Sequence, residues 1–100
     1  MWRGTTPTHT FTLPEEIHAE YFTEIYITYS QNGSPVVEKT KADMTISGNV
    51  IRLTFSQADS LLFKAGPVKI QLRAKTVSGK AVASGIVTTT AKEILKDGEI

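Results

Sequence analysis

Glu24-Ile25-Tyr26-Ile27-Thr28-Tyr29-Ser30-Gln31-Asn32-Gly33-Ser34-Pro35-Val36-Val37-Glu38-Lys39-Thr40 reads as a β-hairpin. Its first limb is built from β-branched and aromatic residues, the types that fit a pleated surface. Asn32-Gly33 then supplies two residues that tolerate the positive φ of a type I′ turn. Period-2 alternation puts Ile25, Ile27 and Tyr29 on one face, with Glu24, Tyr26, Thr28 and Ser30 on the other. Register stays open. A two-residue loop sets Tyr29 opposite Val36, and a three-residue loop sets it opposite Val37.

Outward from this hairpin the chain repeats the same grammar. Thr8-His9-Thr10-Phe11-Thr12-Leu13 alternates, with His9, Phe11 and Leu13 on one face and threonines on the other, as in a half-buried strand. Pro14–Phe22 is less strand-like. Pro14 followed by Glu15 and Glu16 is a helix-start signal, and Ile17 and Tyr21 are spaced i,i+4. One or two helical turns or an irregular sheet-crossing connection both fit. Gly48-Asn49 joins Met44–Ser47 to Val50–Phe55, with Ile46 expected opposite Ile51 and Met44 opposite Leu53. Ser56-Gln57-Ala58-Asp59 is a capping-box start for a helical turn that carries apolar residues to the core. Val68–Val77 alternates Val68, Ile70, Leu72 and Ala74 inward against Lys69, Gln71, Arg73 and Lys75 outward. Ser78-Gly79 turns it into Lys80–Thr90, setting Leu72 opposite Gly85 and Ala74 opposite Ala83. Ala91–Ile100 reads as a continued strand or a helical turn closed by Gly98.

Composition agrees. Valine, isoleucine and threonine number 7, 9 and 14 in 100 residues, which favours strands. The length suits one domain over residues 1–100 that folds without staples. With 0 cysteines, a disulfide framework and a cysteine-based zinc site are excluded. A net charge of +1 gives no general pull toward nucleic acid or an anionic membrane. No apolar run is long enough to span a bilayer, and Met1-Trp2-Arg3-Gly4 lacks a signal peptide's apolar core. Acids concentrate in the first half of the chain and bases in the second. Cross-strand pairing within the chain explains this, as does docking of unlike surfaces of two copies. The fold expected is an all-β, immunoglobulin-like antiparallel sandwich of about seven strands with one or two short helical turns.

Nothing marks a catalytic, cofactor-binding or metal-binding residue. His9 and His18 lack further ligands at tetrahedral spacing, and His9 shares the apolar parity of its strand. No nucleophile elbow or phosphate-cradling glycine loop is present. Glu15, Glu16 and Glu20 read as a solvated helix start. Lys69, Arg73 and Lys75 share a face without the interleaved aromatics of a single-strand binder. In the register above, Val82 and Ile86 join Gln71 and Arg73 on that face as a mixed patch suited to a protein contact. Trp2 stands near a terminus, to be tucked onto the sandwich or buried in a neighbour. The candidate interface is therefore Trp2, Lys69, Gln71, Arg73, Lys75, Val82 and Ile86.

Trp2-Arg3-Gly4-Thr5-Thr6-Pro7-Thr8-His9-Thr10-Phe11-Thr12-Leu13-Pro14 resembles the opening of a family of small proteins from phages and prophages of Gram-positive bacteria. Tyr29-Ser30-Gln31-Asn32-Gly33, Leu61-Leu62-Phe63, Val68-Lys69-Ile70-Gln71-Leu72-Arg73 and Gly79–Ser84 fit the same pattern, so the resemblance spans the chain. It departs at Glu15–Glu20, where a polar insert replaces a shorter loop. These motifs are structural, and the resemblance implies a lineage and no active site. It implies a non-enzymatic structural or interaction protein of the tail or baseplate region. The expected partners are copies of itself or other phage structural proteins, with no nucleic acid, membrane or cofactor. The expected location is the bacterial host cytoplasm during assembly and then the virion. The alternative is an adhesion or ligand-binding module for a host-surface saccharide or protein. That role calls for a shallow groove lined by an aromatic or carboxylates at one end of the sandwich.

Overall fold

The computed structural model describes residues 1–100 and contains eight strands. They are β1 (Thr8–Thr12), β2 (Phe22–Gln31), β3 (Ser34–Thr40), β4 (Met44–Ser47), β5 (Val50–Thr54), β6 (Gly66–Thr76), β7 (Ala81–Ala83) and β8 (Val87–Ala91). A short helix, α1 (Gln57–Leu61), precedes β6. Two antiparallel sheets face each other as an all-β sandwich. The narrow one has the order β1-β5-β4; the wide one runs β3-β2-β6, with β7 and β8 end to end along the far side of β6. No helix is long and apolar enough to cross a membrane.

The opening hairpin uses both registers. Asn32 and Gly33 take φ of +52° and +78°, as a type I′ turn demands, and Gln31 faces Ser34 across it. A bulge between Tyr29 and Ser30 then shifts the ladder, so Tyr29 faces Val37. Ile25, Ile27 and Tyr29 are buried while Tyr26 lies on the outer face. The β4–β5 hairpin pairs residue for residue as expected, Met44 with Leu53 and Ile46 with Ile51. Gly48 takes a φ of +58°, fitting a type II′ turn.

Between the sheets lie Ile27 and Tyr29 from β2, Ile51 and Leu53 from β5, and Val68, Ile70 and Leu72 from β6. Burying each of these side chains stabilises the fold by about 1.5–3 kcal/mol. Phe55 and Phe63 pack against the Tyr29 ring edge-on, at centroid distances of 4.8 and 6.0 Å. The Tyr29 hydroxyl is satisfied by His9 Nδ1 at 2.7 Å. A buried, hydrogen-bonded phenol holds its proton, so burial raises the Tyr29 pKa.

Pro14–Phe22 crosses from the narrow to the wide sheet through a turn and a short 3-10 segment, Ala19–Tyr21, leaving Ile17 and Tyr21 exposed. Ser56 and Asp59 form the expected capping box. Of the apolar residues that follow, Phe63 reaches the core, and Leu62 is left exposed. Beyond Ala91 the chain forms neither of the expected elements; it bends irregularly to Ile100.

The second limb of the last hairpin departs from the expected register. The connection is a three-residue loop, Val77-Ser78-Gly79, closed by Thr76 N–H donating to Lys80 O at 2.9 Å and by Gly79 at φ +87°. The extra residue sets Ala74 opposite Val82 and Arg73 opposite Ala83. At Ser84–Ile86 the strand breaks, and Ser84 Oγ accepts from Leu72 N–H at 3.0 Å in place of a ladder bond. The break adds one residue, so β8 resumes in the expected register, Ile70 facing Val87. A single expected strand thus becomes two.

Candidate functional site

The seven expected interface residues do not form one patch. Lys69, Gln71, Arg73 and Lys75 lie on the outer face of the wide sheet. Val82 does not join them: opposite Ala74, it shares the inward face. Ile86, in the strand break, lines a groove with Phe11 and Ile70. Trp2 lies at the end where the termini meet. It forms a parallel bridge with Lys92, whose ammonium sits 4.9 Å above the ring, and is 53% exposed. Arg3, unremarked in the sequence, ties this end down by donating to the carbonyls of Phe63 and Leu61.

The charge asymmetry between the halves is not discharged by ion pairing inside the chain. The one salt bridge is Lys39–Asp59 at 3.1 Å, with the base in the first half and the acid in the second. On the outer face, Glu24 is in register with Lys75 without pairing to it. Together with Tyr26, Glu38 and Arg73 they frame a shallow hollow of about 340 Å³. The Tyr26 hydroxyl donates to Glu24 Oε1 at 3.3 Å, and the negative charge of Glu24, followed by its hydrogen bond, raises the Tyr26 pKa.

A larger opening runs between the sheets. β1 meets β2 where His9 bonds the Tyr29 hydroxyl, and with Ile70 and Leu72 of β6 it lines one side of this opening. Ser84–Val87 and Thr89 line its other side, giving a groove of about 640 Å³ between β1 and β8. It continues past Leu13, Leu72 and Ser84 into a second hollow of about 460 Å³ beside Ile17, Tyr21 and Val82. Val87 lies opposite Ile70 and so points inward, yet 61% of it is open to solvent. Inward-facing Val82 is 38% exposed. At the Ala91 end, the N-terminal segment closes the gap through Met1 and Arg3, which bond to Thr90 and Lys92.

One wall of the groove is the open edge of the narrow sheet, and the other side is the inward face of β8. Along β1 the bonded pairs are the odd-numbered residues, bracketed by Phe55 N–H to Pro7 O and Leu13 N–H to Asn49 O. Antiparallel alternation therefore turns the main-chain N–H and C=O of Thr8, Thr10 and Thr12 away from β5, toward the open side. His9 sits in the β1 wall with its ring edge against Phe55 at 5.0 Å. Burial, with a contribution from the N-terminal ammonium, lowers its pKa. No three histidine or carboxylate side chains converge on a common point. Comparison with protein-family models, curated proteins and solved structures finds no match for this chain.

Proposed function

We propose that the chain is a non-enzymatic structural and interaction module of a phage or prophage particle, in its tail or baseplate region. Two lines support this reading. The opening segment Trp2–Pro14 and the motifs beyond it resemble proteins of that setting. The observation that carries it is Val87, an inward-facing strand residue left 61% exposed beside an unpaired sheet edge. A sandwich that leaves part of its inner face and two adjoining edges open gains stability when a partner covers them. Inducing a lysogen that encodes the chain and purifying its particles tests the role. The chain should co-purify at fixed stoichiometry, and its deletion should give incomplete or non-adsorbing particles. Complete, infectious particles lacking it would refute the proposal.

The second reading, an adhesion module for a host-surface saccharide, draws on the outer hollow. Tyr26 offers a ring face, Glu24 and Glu38 accept hydrogen bonds, and Arg73 donates them. The hollow is carboxylate-lined as that role calls for, though it sits on the broad face and not at an end. Binding on a glycan array that disappears in Tyr26→Ala would favour this reading. An array without signal would remove it.

A further inference from the structure

We infer that the groove between β1 and β8 is a slot for one added β-strand, supplied as an extended, uncharged segment of another polypeptide. The inference rests on the reading of the chain as an interaction module and names the partner's chemistry. Four observations define the occupant. The wide sheet has four columns of strands, because β7 and β8 share one, and the narrow sheet has three. The difference is one strand, about 4.8 Å of sheet width. The slot's floor is the inward face of β8 from Val87 to Thr89 with Ile86 beside it, and the β1 side of the groove runs over the six residues from Thr8 to Leu13. A strand of about six residues matches that side at roughly 3.3 Å per residue. One wall presents the outward N–H and C=O groups of Thr8, Thr10 and Thr12, which pair with an incoming backbone. The groove lining carries no acid, lysine or arginine, so side chains entering it must be uncharged and, above Val87 and Ile86, apolar.

Symmetry and size argue for a lone segment over a second whole copy. Continuing the narrow sheet through a two-fold axis perpendicular to it would pair β1 with β1 of the copy. The copy's own wide sheet overhangs by the same one column and would enter the space that β7 and β8 fill. The slot is also too small: a strip one strand wide and six residues long falls far below the roughly 1,200 Å² of a stable interface between folded proteins. A lone segment needs no such area when its backbone completes a sheet and its side chains complete a core.

The test appends a strand to the full chain. A flexible glycine-serine linker of about 15 residues, with an average reach of roughly 20 Å, carries a seven-residue segment of alternating threonine and valine after Ile100. A matched extension replaces the valines by aspartates. The valine extension should raise Tm by about 5 °C or more relative to the aspartate one. It should also slow amide exchange at Thr10 and Thr12. Thr10→Pro removes the outward N–H without touching a bond to β5, as edge strands tolerate. In that variant the Tm gain and the slowed exchange at Thr12 should vanish while the fold's NMR spectrum persists. Equal Tm values, or protection appearing on the β3, β4 or β8 edge instead, would overturn the proposal. So would a dimer of the unextended chain with Thr10 already protected, since the slot would then hold a second copy. These readouts concern the slot alone; membership of a particle stands or falls with the deletion experiment.

Discussion

Replacing Gly33 by valine isolates the backbone contribution of the turn that organises the wide sheet. Gly33 sits at φ +78°, and a Cβ built there meets nothing within 4 Å. The substitution therefore creates no clash and removes no packing; its whole cost is conformational. An L-residue in the left-handed region costs about 1–2 kcal/mol, and β-branching places valine at the upper end. At roughly 4–8 °C per kcal/mol for a domain near this length, Gly33→Val should lower Tm by about 8–16 °C. Gly33→Asn, which tolerates positive φ, should cost well under half of that. Thermal melts by circular dichroism on the three proteins decide it. A valine variant that melts with the wild type, or an asparagine variant that falls as far, would refute the assignment of strain to this φ.

Ser56→Ala breaks the capping box, in which the Ser56 hydroxyl accepts from Asp59 N–H and Asp59 accepts from Ser56 N–H, and should cost about 1 kcal/mol in urea unfolding. Burial alone would raise the Asp59 pKa, but the bonds from Ser56 and from Lys39 outweigh it and hold it below 3.8. The stability this carboxylate contributes is present above pH 3.8 and should be lost as pH falls through its lower folded value, a limb absent in Asp59→Asn melts. His9 is favoured neutral in the fold. Its contribution is full above pH 6.5 and should decline as pH drops below that toward the lowered folded value; His9→Gln should flatten this part of the Tm profile. Val87→Thr should cost no more than about 0.5 kcal/mol, since the site is open, whereas Ile27→Ala should cost about 2–5 kcal/mol; denaturant midpoints at unchanged slope report both.

Much of the architecture was legible wherever a turn signal and an alternating pattern agreed. The Met44–Phe55 hairpin was readable to the residue, because Gly48-Asn49 and the opposed pairs Ile46–Ile51 and Met44–Leu53 allow one register. The inward set of β6 was equally plain. The last hairpin was not, for a local reason. Ser78-Gly79 looks like a two-residue loop, and only the bond from Thr76 N–H to Lys80 O shows that Val77 belongs to it. That single residue moves Val82 from the outer face to the inner one and dissolves the mixed patch expected with Arg73. The groove lay further from view. It arises from unequal sheet widths, a property of strand order that no residue pattern encodes. Ser84 and Gly85 mark its break, but as small polar residues they read equally well as ordinary strand or loop.

Residue-resolved amide hydrogen exchange on the unmodified, isolated chain tests the open edge most directly. Phe11 pairs with Ile51 inside the ladder, and Thr10 points its N–H to the empty side. The account predicts slow exchange at His9 and Phe11 and exchange near the rate of an unstructured peptide at Thr10. Protection of Thr10 equal to that of Phe11 would mean that the edge is already covered, and would contradict it.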